Sequence, residues 1–115
     1  MARAATTSDV FNAVAEPRRR QILDLLALGE RPVNDIVEEI DLDQPLVSKH
    51  LRVLREVGAV RVREAGRQRL YRLDAAALKP MADWLARYER MWSERFEALE
   101  EILDELKESE DGDDD

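Results

Sequence analysis

The chain has 115 residues, 44% of them hydrophobic and 38% charged, with a net charge of −8. That balance describes one globular, helix-rich domain with a modest core and a heavily charged surface. No cysteine is present, which excludes disulfides, thiolate metal sites and cysteine nucleophiles. The opening "MARAATTSDVF" holds no apolar run long enough for a signal peptide, and no stretch approaches a membrane span. A cytoplasmic protein with no membrane partner is therefore expected.

In chain order, Ser8 is the candidate N-cap of a short first helix, "DVFNAVA", with Val10, Phe11 and Val14 on one face. Pro17 then opens a second helix, "RRRQILDLLAL", which Gly29 stops. Pro32 opens a third, "VNDIVEEI", with Val33, Ile36, Val37 and Ile40 inward. "DLD" is the turn after it. Asp43 caps a fourth helix that carries Gln44 and Pro45 in its first turn and ends at Gly58. Residues 60–73 read as a β-hairpin with its turn at Ala65–Gly66–Arg67. From Asp74 a long helix is expected to about Lys107, followed by a disordered acidic tail over residues 108–115. Three helices followed by a basic hairpin make a winged helix-turn-helix, mainly α with a β-hairpin wing. Residues 1–107 form one such domain. Residues 44–57 are its recognition helix, 60–73 its wing and 74–107 its dimerisation helix.

The charge is uneven. Residues 44–73 hold 8 Lys/Arg against 2 Asp/Glu, a net of +6, although the sequence pI is about 4.7. Polyanion binding depends on the local field, so the acidic total does not argue against a nucleic-acid partner.

Rotation of 100° per residue sorts the fourth helix. Val47, Leu51 and Leu54 fall on one side, for packing on the third helix. Gln44, Pro45, Ser48, Lys49 and Arg52 fall on the other, a face with no acid. Amide, hydroxyl, ammonium and guanidinium groups are those that read base edges and phosphates in the major groove. The alternative is an ordinary solvated face, but the helix before it and the basic hairpin after it favour DNA. The hairpin supplies Arg61, Arg63, Arg67, Arg69 and Arg72, with Arg67 and Arg69 flanking the tip. There they can reach a minor groove or its phosphates. An edge hairpin blunted by charge is the other explanation. His50, the one histidine, reads as packed or phosphate-contacting rather than as a metal ligand. Arg18 to Arg20 open a helix whose dipole disfavours cations, which suggests phosphate contact or an ion pair with Asp24 or other acids.

These segments together resemble a known family. "AEPRRRQILDLL", "QPLVSKHLRVLREVGAV" and "REAGRQRLYRL" are similar to the ArsR/SmtB family of bacterial transcriptional repressors, over about residues 8–78. The resemblance implies a homodimer that binds a palindromic double-stranded DNA operator. It places base-contacting positions at Gln44, Pro45, Ser48 and Lys49, and wing contacts at Arg67 and Arg69. Many members sense metals through cysteines at the start of the third helix, or through His and acids on the last. This chain has Asn34 and Asp35 on the third helix and no His on the last. It resembles members without metal ligands, so no cofactor and no metal control are expected, and an effector is not readable.

On the last helix, Leu78, Met81, Leu85, Tyr88, Trp92, Phe96, Leu99, Leu103 and Leu106 follow at spacings of three and four. This is a coiled-coil-like seam with one stutter, widened by Trp84, Met91 and Ile102. A second copy of the helix is the economical cover, with Phe11 and Val14 completing the dimer interface. The aromatic and Met cluster at Trp84, Tyr88, Met91 and Trp92 is also a candidate effector pocket. The tail "ESEDGDDD" is a solvating segment or a competitor with DNA for the basic face. No Ser–His–acid set, phosphate loop or paired metal ligands appear, so an enzyme is not expected. The rival function is a protein-interaction module acting through the acidic last helix.

Overall fold

The computed structural model describes residues 9–113, the last four by backbone alone. Helix α1 (Val10–Ala15) begins where the Asp9 carboxylate accepts from the Phe11 amide at 2.8 Å. Asp9 is thus the cap, in place of Ser8, which lies outside the described residues. Helix α2 (Pro17–Leu26) has proline at its first position, where a missing N–H costs nothing, and Glu16 caps it through the Arg19 amide. The helix ends before Leu28, which is 78% exposed. Helix α3 (Val33–Ile40) stops at Asp41 in the left-handed region, and α4 (Gln44–Glu56) follows after a short turn.

The hairpin consists of β2 (Val60–Ala65) and β3 (Gln68–Leu73), in register from Val60↔Leu73 to Ala65↔Gln68. Only Gly66 and Arg67 lie between the last paired residues. Gly66 takes φ +64, which a two-residue hairpin loop needs and a side chain resists. A third strand, β1 (Arg31–Pro32), pairs antiparallel with β3 and makes the sheet order β1-β3-β2. Two residues, one of them proline, carry no periodicity, so this strand is invisible in sequence. Proline is tolerated there because β1 is an edge.

The expected helix start after Asp74 is modified by Pro80. Asp74 caps a 3₁₀ turn, Ala75–Leu78, and only then does α5 (Lys79–Asp113) begin. Proline cannot donate to the carbonyl four residues back, so the α-helix restarts with Pro80 in its first turn. Helix α5 also continues past Lys107 through Asp113, where a disordered tail was expected. Extending an existing helix needs no new nucleus, so polar residues can follow the apolar stripe.

The core unites α1 to α4 with β2. Ile22, Ile36, Val47, Leu51, Leu54 and Val60 are its largest fully buried side chains. Leu78 and Met81 pack against it from outside, half-buried. The chain divides into two compact units, one ending at Met81 and the other beginning at Ala82. In the second, Trp84 and Tyr88 meet edge-to-face with ring centroids 5.5 Å apart. The stripe from Tyr88 through Leu106 stands open, with Phe96 63% exposed. Among the described residues, no helix is long and apolar enough to cross a membrane.

Candidate nucleic-acid interface

Helix α4 is aimed from both ends. At its start, Asp43 Oδ1 accepts from the Leu46 amide at 3.0 Å and sets the entry of the chain. At its end, Gly58 adopts φ +80, a backbone state that favours glycine. Val47, Leu51 and Leu54 then lock its inner side into the core. Gln44, Pro45, Ser48, Lys49 and Arg52 are all exposed on the opposite side. Pro45, Ser48, Lys49 and Arg52 line one shallow depression on this face.

A second groove joins α4 to the wing. Gln44 and Ser48 line it from the helix, and Arg67, Gln68 and Arg69 from the hairpin. Asn34, Pro32 and Val33 form its far wall with Tyr71. Residues from two separate segments of sequence therefore meet in one place. Asn34 and Gln68 are the polar members that sequence reasoning missed. Gln68 has a signal, since it lies between the two tip arginines, whereas Asn34 has none until β1 sets α3 against the hairpin.

The wing arginines divide into two kinds. Arg63 donates Nε and Nη2 to both carboxylate oxygens of Glu30, at 2.9 and 2.8 Å. That hydrogen-bonded pair holds the Glu30 carboxyl below its usual range and the Arg63 guanidinium above its own. Arg61 Nε donates to Asp74 at 2.6 Å, which lowers the Asp74 carboxyl in the same way. These two cations are partly neutralised by acids from outside the hairpin. The side chains of Arg67 and Arg69 have no hydrogen bond or ion pair among the described residues.

Among the described residues Arg18 to Arg20 form no ion pair with Asp24 or another acid, and their side chains turn to carbonyls instead. Arg19 Nη1 donates to the Ala13 carbonyl at 3.3 Å, and Arg20 Nη1 to Val14 and Ala15 at 2.7 and 3.2 Å. Those carbonyls end α1. Arg18 Nη1 reaches the Ile40 carbonyl at the end of α3, at 3.3 Å, and the Gln21 amide oxygen. Cations on open carbonyls at helix C-termini are favourable, and this offsets their poor place at the start of α2.

His50 is half-buried. Burial lowers its pKa from the usual 6.5. Glu16 opposes that shift, and Arg19, Lys49 and Arg18 add to it. The unfolded chain therefore binds the proton first as pH falls, and folding stability drops below about pH 6.5. The melting temperature should decline between about pH 7.5 and 5.5, and His50→Gln should flatten that decline. A decline of the same size in the variant would assign it to other groups.

The residues named for a dimer interface are placed unequally. Val14 is buried in the core of its own chain, while Leu78 and Met81 are half-buried against it. Leu85 is half-buried, and Phe11, Tyr88, Trp92 and Leu99 are exposed. Among the described residues, no group of three or more His, Asp or Glu is arranged to hold a metal ion.

Residues 16–62 match the family model described as bacterial regulatory protein, arsR family. The transcriptional repressor SdpR of Bacillus subtilis is 31% identical over 81 residues, covering 70% of this chain and 90% of that repressor. An ArsR-like transcriptional regulator from Rhodococcus superposes with a TM-score of 0.64 at 26% identity, over 89% of this chain and 96% of the other. The homodimeric winged helix-turn-helix DNA-binding domain of a possible ArsR-family regulator from Mycobacterium bovis has a TM-score of 0.57 at 36% identity. It covers 70% of this chain and 77% of its own.

Proposed function

The chain belongs to the ArsR family of bacterial transcriptional regulators, and on that premise we propose that it is a repressor that binds a palindromic operator as a homodimer, without metal control. Its relatives are regulators rather than enzymes. The observation that carries the reading is the groove where Gln44 and Ser48 of α4 face Arg67 and Arg69 of the wing, with no acid among its lining residues.

In this reading residues 44–57 are the recognition helix and 60–73 the wing. Gln44, Pro45, Ser48 and Lys49 meet base edges, Arg52 a phosphate, and Arg67 and Arg69 the backbone or minor groove beside them. Residues 74–107 dimerise, which sets two such heads on two half-sites. Operator binding places the protein with the chromosome, in the cytoplasm. The apolar stripe of α5 supports the dimer, because it is continuous and open in the single chain. The rival, an interaction module built on α5, leaves the groove without a role.

The independence from metal rests on the donor set. Tight sites for zinc or softer ions need thiolates or several imidazoles in fixed geometry. The chain has no thiol and one imidazole per subunit, His50, which is half-buried on α4.

The test is duplex binding at several salt concentrations, with DNA from the region flanking its own gene. A dimer that neutralises about six to eight phosphates should give a log K against log[salt] slope of about −5 to −7. Chelator or micromolar zinc should leave affinity unchanged at fixed ionic strength. A flat salt dependence, or equal affinity for every sequence, defeats the operator reading. A tenfold loss with zinc that chelator reverses defeats the metal-independent part alone.

A further inference from the structure

We infer that the C-terminal end of α4 and the edge strand β2 form a second site for backbone phosphates, separate from the groove at the wing tip. The inference rests on the duplex-binding reading above. Rotation of 100° per residue puts Arg55 on the same face as Gln44 and Ser48. Arg55 is exposed in the last turn of α4, where a cation also complements the helix dipole. The reading face thus continues to the far end of the helix.

There a concavity is lined by Arg55, Arg61 and Arg72, over the apolar floor of Val60 and Val62. The register sets Arg61 directly across from Arg72. Like charges in that position destabilise a strand pair, so local sheet stability does not explain the arrangement. Among the described residues one acid pairs with the cluster, Asp74, which engages Arg61 through Nε at 2.6 Å. Arg72 also feels the Asp74 and Glu30 carboxylates electrostatically. Among the described residues, neither the Arg55 nor the Arg72 side chain has a hydrogen bond or ion pair. Three guanidiniums against one bound carboxylate leave a net attraction for anions.

The class of anion follows from the shape. The depression is shallow and open to solvent, so a small free anion would stay hydrated in it. A phosphodiester chain already held on the neighbouring face of α4 would be delivered to it. Guanidinium forks match phosphate oxygens and carry no base preference.

The experiment uses fluorescence anisotropy with the full chain and two labelled duplexes. One is the gene-flanking DNA and the other its scrambled counterpart. Arg55→Ala with Arg72→Ala should weaken both duplexes by the same factor, about tenfold or more. Loss of one phosphate per subunit should make the salt slope shallower by about 2. Arg55→Lys with Arg72→Lys should restore the slope, since the point charges remain. If the double alanine variant melts early, Arg72→Ala alone serves, at an exposed strand position, with half the slope change or more. A wild-type slope in the alanine variants, while Arg67→Ala reduces it in the same assay, overturns the second site and leaves duplex binding standing. A changed base preference overturns it too, by making these arginines readers of sequence. Salt-independent binding by the unaltered protein overturns both.

Discussion

Trp92→Asp combined with Leu99→Asp is expected to convert the proposed dimer to a monomer and to lower operator affinity by about a hundredfold or more. Trp92 is 43% exposed and Leu99 50% exposed in the single chain, so neither carboxylate would be trapped in a core of its own subunit. In a seam between two copies of α5 each would lose its water, and a buried unpaired charge costs several kcal/mol. Symmetry doubles the number of such charges. The winged unit should keep its melting transition, because its core residues lie before Met81. Loss of the dimer then removes the second reading head, and with it the gain from occupying two half-sites at once. Sedimentation velocity and anisotropy decide the matter. A dimer that survives both substitutions, or a folded monomer with undiminished operator affinity, rules out the proposed assembly.

Gln44→Ala with Ser48→Ala should produce the next largest effect, and one of a different kind. Both side chains line the groove beside the wing and both are exposed. A good base-edge contact contributes about 1–3 kcal/mol of discrimination, and a homodimer carries each substitution twice. The preferred sequence should therefore lose much of its advantage over scrambled DNA, while the salt slope stays close to that of the unaltered protein. Arg67→Ala with Arg69→Ala should do the reverse, weakening all duplexes together and making the slope shallower. The two tip arginines suit that role because no acid in the described structure pairs with them, unlike Arg61 and Arg63. Selection from a randomised duplex pool, followed by salt titration, separates the two behaviours. Helix and wing variants with the same profile would rule out the division of labour.

The inner and outer sides of α4 were legible because helical period is a local property. Val47, Leu51 and Leu54 repeat at three and four residues, and that spacing alone forces Gln44, Ser48 and Arg52 outward. The hairpin was legible because Gly66 and the alternation around it are adjacent in the chain. The same wheel, carried one turn further, would have placed Arg55 with them. The stripe on α5 was legible for the same reason, although Met81 at its start, like Val14 of α1 and Leu78 of the 3₁₀ turn, packs with the core of its own chain.

The sequence by itself determined the order of the helices and the hairpin, the caps at Asp43 and Gly58, the acid-free face of α4, and a donor set without thiols. These depend on residues a few positions apart. Only the tertiary structure decided which cations are left for a polyanion. Arg63 finds Glu30 from 33 residues away, and Arg18 finds the Ile40 carbonyl from 22. Arg19 and Arg20 turn back onto the end of α1. Strand β1 exists because β3 offers two residues a ladder. A charge in a sequence states only that a partner is needed. Whether that partner is a carboxylate, a helix end or a phosphate depends on the path the chain takes between them, and local spacing does not encode that path.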